Sequence, residues 1–389
     1  MQSVRRLIDN ILARPGTATI ARAKITAPTG ALPIGSVAAT CVIVVGPSFD
    51  QDVPTAMMTF RMGYAKAFES LGIPYLFVDL QDLAALLPEL PGPFCMLNGA
   101  DYLHMDLRTI RQLRNYPHAV WVDPWFAGSD HFFSAHQLDA RIWHWSDEHR
   151  ERIVTSAPAF VHTATVPGGL CFFEKWATRG LQIVSLPLAC DTSLYRIDVP
   201  LVDEFVGIPM AFVGGYWESK GLQLDRYLRP FEDQLVVYGY SSWPYRGYRG
   251  LLPREVEPAL YRQALVSPVI NEPSVPILQG QINERIFKVL GSGGVPLVDA
   301  VPAYRELFRE DELFIPRGVD DFIVMARQLL RDEGLRERSR KGREAVLARH
   351  TYRHRALQML DSLGLSGLVA RVAEPILPAL LVTEERKSC

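Results

Sequence analysis

Residues 283–299, NERIFKVLGSGGVPLVD, decide the fold: they predict a short helix, a glycine break and a buried strand. Ile286, Phe287 and Leu290 lie at helical spacing, which indicates one face packed against a sheet. The glycines after Leu290 end the helix, and the apolar run at residues 295–298 is typical of a strand covered on both sides. The stretch therefore predicts one helix–strand unit of an α/β domain.

Another face of the same helix carries positive charge. Arg285, Lys288 and Ser292 recur at positions i, i+3 and i+7, and Asn283 stands where the helix begins. The free N–H groups and the dipole at a helix start favour an anion, so a phosphorylated ligand fits this face. A solvated surface helix would show the same pattern, and this stretch alone leaves both interpretations open.

The alternation of strands and helices extends to both sides of this stretch. Strand-length apolar runs lie at residues 41–45, 75–78, 94–97, 119–122, 160–161 and 183–186, and again at 210–213, 235–238, 266–270, 295–298 and 313–315. Such alternation predicts parallel, doubly wound sheets. The predicted fold class is therefore α/β, with two Rossmann-like domains facing a cleft. Ligands are expected at the carboxyl ends of the strands.

The same pattern divides the chain into five segments. These are an N-terminal leader at residues 1–38, a first Rossmann-like domain at 39–190, a linker at 191–207, a second Rossmann-like domain at 208–350, and C-terminal helices at 351–389. The C-terminal helices are expected near the junction of the domains, and whether they cross back to the first domain stays open.

Composition narrows the class of protein. The 389 residues favour two domains, and a net charge of -2 gives no reason to expect nucleic acid binding. Five cysteines without a CxxC pair fit a reducing cytoplasm better than a disulfide framework. No uninterrupted apolar window is long enough for a transmembrane segment. We expect a cytoplasmic protein, and peripheral contact with a membrane stays open.

Several motifs occur in an order that resembles one family. They are residues 212–215 (FVGG), 220–221 (KG), 237–239 (VYG) with Trp243, 260–264 (LYRQA), 283–287 (NERIF) with Gly293 and Gly294, and 350–355 (HTYRHR), preceded by 121–124 (WVDP) and 187–191 (PLACD). This order resembles the glycosyltransferases of the spore-maturation (CgeB-like) type, a branch of the two-domain GT-B architecture.

The resemblance implies that the second half holds a nucleoside-diphosphate-sugar donor and the first half a saccharide or glycoconjugate acceptor. A hexosyltransferase acting in polysaccharide biosynthesis is expected, with no cofactor besides the donor. The donor contacts expected from it are Gly214, Gly215, Lys220, Gly239, Trp243, Asn283, Arg285, Lys288, Ser292, Gly293 and Gly294.

The chemistry of three of these residues agrees with a diphosphate. Gly214 lets backbone N–H groups approach phosphate oxygens, Lys220 supplies a point charge, and the forked donors of Arg285 match two oxygens. Because these cations neutralise the leaving phosphate, no metal is expected. An ordinary strand-to-helix turn and a solvated lysine are the competing interpretations. Trp243 lies in an aromatic loop that either stacks on the donor or packs on its own domain.

Lys288 departs from the family, which usually has Glu after the Phe of this helix to bind the ribose hydroxyls. A lysine has no acceptor capacity. We expect Lys288 to contact a donor phosphate or a sugar carboxylate. The alternatives are a lysine in solvent and a weakened ribose site. The stereochemistry of transfer stays open, since Gly280 occupies the earlier glutamate position of many retaining relatives.

Asp123 is the first candidate for the acceptor side. It follows a predicted strand and precedes Pro124, which places it at a carboxyl end, where a general base would act. His131, in the following loop, is the second candidate. Turn aspartates and solvated histidines show the same patterns. Residues 50–52 (DQD) predict an acidic loop rather than a metal site.

Two other functions stay open from the sequence. A nucleotide-sugar-binding protein with weak or no catalysis would explain Lys288. A nucleotide-sugar epimerase shares the architecture, although it needs a carboxylate-rich cleft that the sequence does not predict.

Overall fold

The computed structural model describes residues 42–46, 56–90, 94–122, 147–272, 275, 280–332, 334 and 336–365. The predicted leader at residues 1–38 lies outside these ranges, as does the C-terminal segment beyond residue 365.

The first domain contains a six-stranded sheet. Its strands are β1 (Val42–Gly46), β2 (Tyr75–Asp79), β3 (Phe94–Asn98), β4 (His118–Trp121), β5 (Phe160–Thr163) and β6 (Ile183–Ser185). Their spatial order is β2-β1-β3-β4-β5-β6, and every neighbouring pair is parallel. The order reverses direction between β1 and β3, so this is a doubly wound sheet.

Helices cover both faces of this sheet. They are α1 (Ala56–Ser70), α2 (Leu83–Leu86), α3 (Leu107–Leu113), α4 (Asp147–Ser156) and α5 (Glu174–Ala177). Phe60 and Tyr64 of α1 belong to the core on one face, whereas Ile110 and Leu113 of α3 belong to the core on the other. Asp106 caps the start of helix α3: its carboxylate accepts a hydrogen bond from the backbone N–H of Thr109 at 2.9 Å.

The second domain repeats the plan with shorter strands. These are β7 (Met210–Val213), β8 (Leu235–Tyr238), β9 (Ser267–Val269) and β10 (Pro296–Val298). The parallel pairs β7–β8 and β9–β10 are joined by a bridge between Met210 and Val266. The predicted strand at residues 313–315 is reduced to a single bridge between Leu297 and Phe314.

The remaining helices are α6 (Glu218–Leu228), α7 (Glu257–Gln263), α8 (Arg285–Gly291), α9 (Tyr304–Leu307), α10 (Val319–Leu329), α11 (Arg336–Arg349) and α12 (Tyr352–Ser362). Short 3-10 turns occupy Leu87–Glu89, Gly99–Leu103, Pro167–Phe173, Asp203–Phe205, Arg229–Gln234 and Arg254–Val256. Ile286, Phe287 and Leu290 of α8 are buried with Val298 of β10, as the sequence predicts.

The last helix, α12, packs on the first domain. Tyr352, Ala356 and Leu360 join Phe60 and Tyr64 in one core cluster. The ring of Tyr352 lies against α1 so closely that a Cβ on Gly63 would be 2.2 Å from it.

The chain therefore passes between the domains twice, and the two crossings lie side by side. The backbone N–H of Cys190 donates to the carbonyl of His350 at 2.8 Å, and that of Tyr352 donates to the carbonyl of Cys190 at 3.1 Å. The side chain of Arg355 also donates to the carbonyl of Pro187 at 2.7 Å.

The domains contact each other directly beyond β5. The N–H of Val166 donates to the carbonyl of Gly280 at 2.7 Å, and the N–H of Gly168 donates to the carboxylate of Glu306 at 2.9 Å. These contacts bring the carboxyl edge of the first sheet towards that of the second. The predicted fold class, α/β with two Rossmann-like domains facing a cleft, is confirmed.

Cys171 is disulfide-bonded, whereas Cys190 is free and buried. Within the described ranges, no helix has the length and apolar character needed to cross a membrane.

Candidate functional site

Four neighbouring strands of the second sheet end in polar or glycine-containing turns. Gly214 and Gly215 follow β7, Gly239 follows β8, Asn271 and Glu272 lie beyond β9, and Asp299 follows β10. Because parallel strands end at a common edge, the sheet gathers these residues together. This edge is the candidate site.

Arg285 lies against the turn after β7. Its Nε donates to the carbonyl of Val213 at 2.8 Å, and its Nη1 donates to that of Ile270 at 3.4 Å. Its guanidinium carbon lies 4.3 Å from the ring centroid of Phe212. A Cβ on Gly214 would lie 2.6 Å from Nη2. Glycine at position 214 therefore leaves the space that the guanidinium fills.

Lys220, in α6, is a second buried cation at this edge. Its Nζ donates to Glu272 at 2.5 Å and lies 4.3 Å from the ring centroid of Trp217. Burial lowers the pKa of Lys220, Glu272 opposes this effect, and the positive charge of Arg285 lowers the pKa further. The two cations are therefore close enough to repel each other. Two cations that bind the same anionic ligand are expected to lie this close together.

A hydrogen-bonded network stands beside the cations. The N–H of Asn271 donates to Asp299 at 2.9 Å, and its side-chain amide donates to Asp299 at 2.6 Å and to the hydroxyl of Tyr304 at 2.8 Å. Burial raises the pKa of Asp299 to about 6, although these bonds favour the carboxylate. The network fixes the turns after β9 and β10.

The predicted donor contacts Gly239 and Trp243 have structural partners in their own domain. The indole N–H of Trp243 donates to the carbonyl of Gly214 at 3.0 Å, and its ring is buried 5.2 Å from that of Phe212. A Cβ on Gly239 would lie 2.1 Å from the same carbonyl oxygen. Trp243 therefore packs on its own domain, which is one of the two interpretations of this loop, and it supports the turn at Gly214.

Gly215 also has a packing reason to be glycine. A Cβ there would lie 2.7 Å from the hydroxyl oxygen of Tyr240 and 2.9 Å from the ring of Trp217. The backbone of residues 214–215 is thus flanked by aromatic side chains as well as by Arg285.

Residues at the two ends of α8 are not brought together. Asn283 accepts a hydrogen bond from the N–H of Arg285 at 2.9 Å, which fixes the start of the helix beside the cations. Ser292 donates to the carbonyl of Lys288 at 2.8 Å, and Gly293 has a φ of 80°. A Cβ on Gly294 would lie 2.4 Å from the carbonyl oxygen of Tyr261. Ser292, Gly293 and Gly294 therefore end the helix away from Arg285.

Lys288 also lies away from the candidate site. Its Nζ is 3.0 Å from the Glu284 carboxylate and 5.4 Å from the ring centroid of Tyr195. Burial alone would lower the pKa of Lys288, but Glu284, Glu257 and Tyr261 together outweigh burial and raise it. Glu284 also accepts hydrogen bonds from Tyr352 at 2.6 Å and Thr59 at 3.2 Å. The structure does not support the predicted phosphate contact of Lys288, because this ion pair holds it at the domain junction.

Asp123 and His131, the predicted acceptor-side residues, lie outside the described residues. The described range before them ends at Val122, one residue beyond β4, and the next range begins at Asp147. Among the described residues, no group of three or more His, Cys, Asp and Glu side chains could hold a metal ion.

The sequence prediction missed Asn271, Glu272 and Asp299. All three are polar residues that follow closely on apolar strands, which is the criterion that selected Asp123. Applied to every strand, the same criterion would have found them.

Comparison with known proteins adds one family and a set of solved structures. Residues 222–361, which span most of the second domain and α12, match the family model described as "Glycosyl transferase-like". No curated protein matches the chain.

Many solved structures match the chain, and three of those that cover most of it at low sequence identity are described here. Sucrose-phosphate synthase from Thermosynechococcus elongatus has a TM-score of 0.58 at 13% identity, covering 85% of this chain and 99% of that one. A variant of the T4 phage β-glucosyltransferase, in complex with UDP-glucose, has a TM-score of 0.52 at 9% identity with the same coverage. An α-glucosyltransferase in complex with UDP-glucose and DNA has a TM-score of 0.52 at 10% identity, covering 80% and 95%.

The fold is GT-B. At these identities the similarity is one of fold, and it extends over both domains.

Proposed function

We propose that this protein is a GT-B glycosyltransferase that moves a hexosyl group from a nucleoside-diphosphate sugar to a saccharide or glycoconjugate acceptor. The observation that carries the proposal is the proximity of two buried cations, Lys220 and Arg285, at the carboxyl edge of the second sheet, with Arg285 against the turn at Gly214. The match of residues 222–361 to a glycosyl transferase-like family supports it.

A diphosphate suits these cations better than their present partners do. Lys220 has three N–H donors and one carboxylate partner, Glu272. Arg285 directs Nε and Nη1 to backbone carbonyls, and its Nη2 faces Gly214. An anionic ligand beside Gly214 would relieve the repulsion between the two cations, and charge-assisted hydrogen bonds of this kind are the strong ones.

The solved neighbours support the class of donor. The β-glucosyltransferase and the α-glucosyltransferase were each solved in complex with UDP-glucose. A hexose carried on a nucleoside diphosphate is the donor we propose for this chain. The order of the sequence motifs supports the spore-maturation (CgeB-like) type as the branch, and polysaccharide biosynthesis as the process.

On the acceptor side, Asp123 is our proposed general base and His131 our second candidate. Both follow β4, whose neighbour β5 leads into the turn that contacts Gly280. A base at this edge would face the donor across the cleft, where it can accept the proton of an acceptor hydroxyl.

Metal independence and a cytoplasmic location are parts of the same proposal. Lys220 and Arg285 can neutralise the leaving diphosphate without a metal. The cytoplasmic location rests on the number and spacing of the cysteines.

Nucleotide titration tests the donor site. Calorimetry with UDP, GDP, ADP and dTDP, followed by their glucose conjugates, should identify a ligand for the wild type. Lys220→Met should make the binding free energy of that ligand less favourable by about 1.5–3 kcal/mol, since it removes one charge-assisted contact. Glu272, which loses its partner, is half-exposed and remains hydrated.

Arg285→Lys should weaken the same ligand as well, because it keeps the charge but removes the forked donors. Lys341→Met is the matched control, since Lys341 is an exposed lysine of the same domain whose partner, Asp311, is also exposed. Unchanged nucleotide affinity in both site variants would refute the placement of the donor. Nucleotide binding without turnover across a panel of saccharide acceptors would favour the binding-protein alternative.

A further inference from the structure

The ion pair of Lys220 and Glu272 at the candidate site is unequally buried. The side chain of Lys220 is 3% exposed, whereas that of Glu272 is 35% exposed. The Nζ of Lys220 lies 2.5 Å from Oε1 of Glu272, and neither side chain forms another hydrogen bond within the described ranges. The buried ammonium group therefore depends on one half-exposed carboxylate for its hydrogen bond.

The other surroundings of Lys220 oppose its positive charge. Burial is the largest effect that lowers its pKa, and the positive charge of Arg285 lowers it further. The ring of Trp217, 4.3 Å from Nζ, adds only a weak attraction. Among the described residues, Glu272 is the group that raises the pKa, through its charge and through its hydrogen bond. Without Glu272 the balance would therefore shift towards a neutral amine.

The fold brings Glu272 to Lys220 from a different part of the sheet. Lys220 lies in α6, which follows β7, whereas Glu272 lies beyond the end of β9. The two strands are neighbours, because Met210 of β7 bridges to Val266, the residue before β9. Lysine has a flexible four-carbon stem, so a hydrogen bond to another element restricts where its ammonium group can lie.

The charge of Lys220 matters for an anionic ligand. Charge-assisted hydrogen bonds are roughly twice as strong as neutral ones, so a neutral amine would bind a diphosphate poorly. Glu272 itself carries a negative charge that opposes such a ligand. A carboxylate beside a phosphate site therefore needs a compensating effect, and the contacts of Lys220 supply one.

We propose that Glu272 is a positioning residue that keeps the ammonium group of Lys220 charged and in place at the carboxyl edge of the second sheet. This inference rests on the proposed donor site, because a diphosphate is the ligand for which this charge matters. It assigns a role in donor binding to a residue outside the donor contacts predicted from the sequence.

Lysine NMR tests the charge of Lys220 without any ligand. The chain has seven lysines, so isotopic labelling of their ε-carbons gives few signals, and Lys220→Met identifies the signal of Lys220. In Glu272→Gln this signal should titrate at a lower pH than in the wild type, because the attraction that favours the charged form is gone.

Asp311→Asn is the matched control for Glu272→Gln. Asp311 lies 3.0 Å from Lys341, and both side chains are exposed. Its substitution removes a carboxylate from a lysine pair of the same domain, and it should leave the titration of Lys220 and the nucleotide affinity unchanged.

Calorimetry between pH 7 and pH 9 tests the consequence for the ligand. The probe is the nucleoside diphosphate that the wild type binds best among UDP, GDP, ADP and dTDP. This range lies above the pKa of Asp299, which is about 6. Burial and the charge of Glu272 raise the pKa of Tyr240, so Tyr240 stays neutral, and a guanidinium keeps its charge throughout.

The affinity should fall as the pH rises past the pKa of Lys220 in the free protein, because the ligand then has to bind together with a proton. Such an uptake of one proton weakens binding by up to about tenfold per pH unit. Between pH 7 and pH 9, the affinity of Glu272→Gln should fall at least about threefold more than that of the wild type.

A double variant shows whether Glu272 acts through Lys220. The nucleotide affinity of Lys220→Met/Glu272→Gln should follow the same pH dependence as that of Lys220→Met, because no lysine is left at this position to titrate. A difference between the two pH profiles would overturn the inference.

The outcomes separate this inference from the donor proposal. An unchanged titration of Lys220 in Glu272→Gln would overturn the inference. Tighter nucleotide binding by Glu272→Gln across the whole pH range would overturn it as well, since Glu272 would then be a competitor of the ligand. A wild type that binds no nucleotide refutes the donor proposal, and the NMR titration still decides whether Glu272 keeps Lys220 charged.

Discussion

Removing the ammonium group of Lys288 should destabilise the protein without touching the donor site. Lys288 and Glu284 lie 3.0 Å apart, with side chains 16% and 12% exposed. Lys288→Met leaves the Glu284 carboxylate at the domain junction without its cation. The hydroxyls of Tyr352 and Thr59 remain as its hydrogen-bond donors.

The magnitude follows from the distance and the burial. Two unit charges 3.0 Å apart attract with about 5.5 kcal/mol at an effective dielectric constant of about 20. Part of this attraction only offsets the cost of taking both charges out of water. Losing one partner of a buried pair typically costs about 3–5 kcal/mol. We expect Lys288→Met to lower the free energy of unfolding by that amount, and Glu284→Gln/Lys288→Met to recover most of it.

Urea unfolding of the two single variants and the double variant, as a double-mutant cycle, measures the coupling. Lys341→Met is the matched control: its pair with Asp311 has the same 3.0 Å distance, but the two side chains are 43% and 61% exposed. Lys341→Met should lower the free energy of unfolding by no more than about 1 kcal/mol. Equal losses for Lys288→Met and Lys341→Met would refute the reasoning. Unchanged stability with weakened UDP binding would restore the phosphate contact predicted from the sequence.

Three other changes test other parts of the molecule. His162 is fully buried with a pKa lowered to about 3, so it binds a proton below about pH 6.5 only when the chain unfolds. The stability that neutral His162 contributes is therefore present above that pH and is lost as the pH falls below it. The wild type should lose about 2 kcal/mol of unfolding free energy through His162 between pH 7 and pH 5, and His162→Phe should not show this part of the loss. An unchanged pH dependence in urea titrations would contradict this. Gly214→Ala should displace Arg285 and weaken nucleotide binding about as much as Arg285→Lys does. Gly318→Ala is the control, because a Cβ at position 318 meets no other atom, and it should leave nucleotide binding unchanged. Equal nucleotide affinities of Gly214→Ala and Gly318→Ala in calorimetry would count against the site. Asp123→Asn should lower turnover about 100-fold or more with donor affinity unchanged; lost donor binding with normal turnover would remove Asp123 from the role of base.

The sequence predicted most strands because buried parallel strands are apolar runs that can be recognised without knowing their partners. The run at residues 313–315 looks the same, yet only Phe314 reaches a neighbouring strand. Strand pairing depends on the chain beyond the run, so this difference was not visible in the local pattern.

The helical spacing of α8 places Arg285 and Lys288 on one face, whereas in the structure Arg285 donates to the carbonyls of Val213 and Ile270 and Lys288 pairs with Glu284. A helical pattern gives the direction of a side chain and not what stands against it. The available signal was Glu284, four residues before Lys288, which is the spacing of a helical ion pair. The packing of Trp243 on Gly214 joins residues far apart in sequence, which local patterns do not predict.

The paired crossings at Cys190 and His350 have a consequence for exchanging parts between relatives. Because α12 completes the core beside Phe60 and Tyr64, a chimaera that imports a foreign donor domain must keep residues 352–362 from this protein. The graft would replace the segment between the two crossings, with both seams close together in space. If the proposed function holds, donor specificity moves with this one inserted block, while the first domain keeps its own helix and its own core.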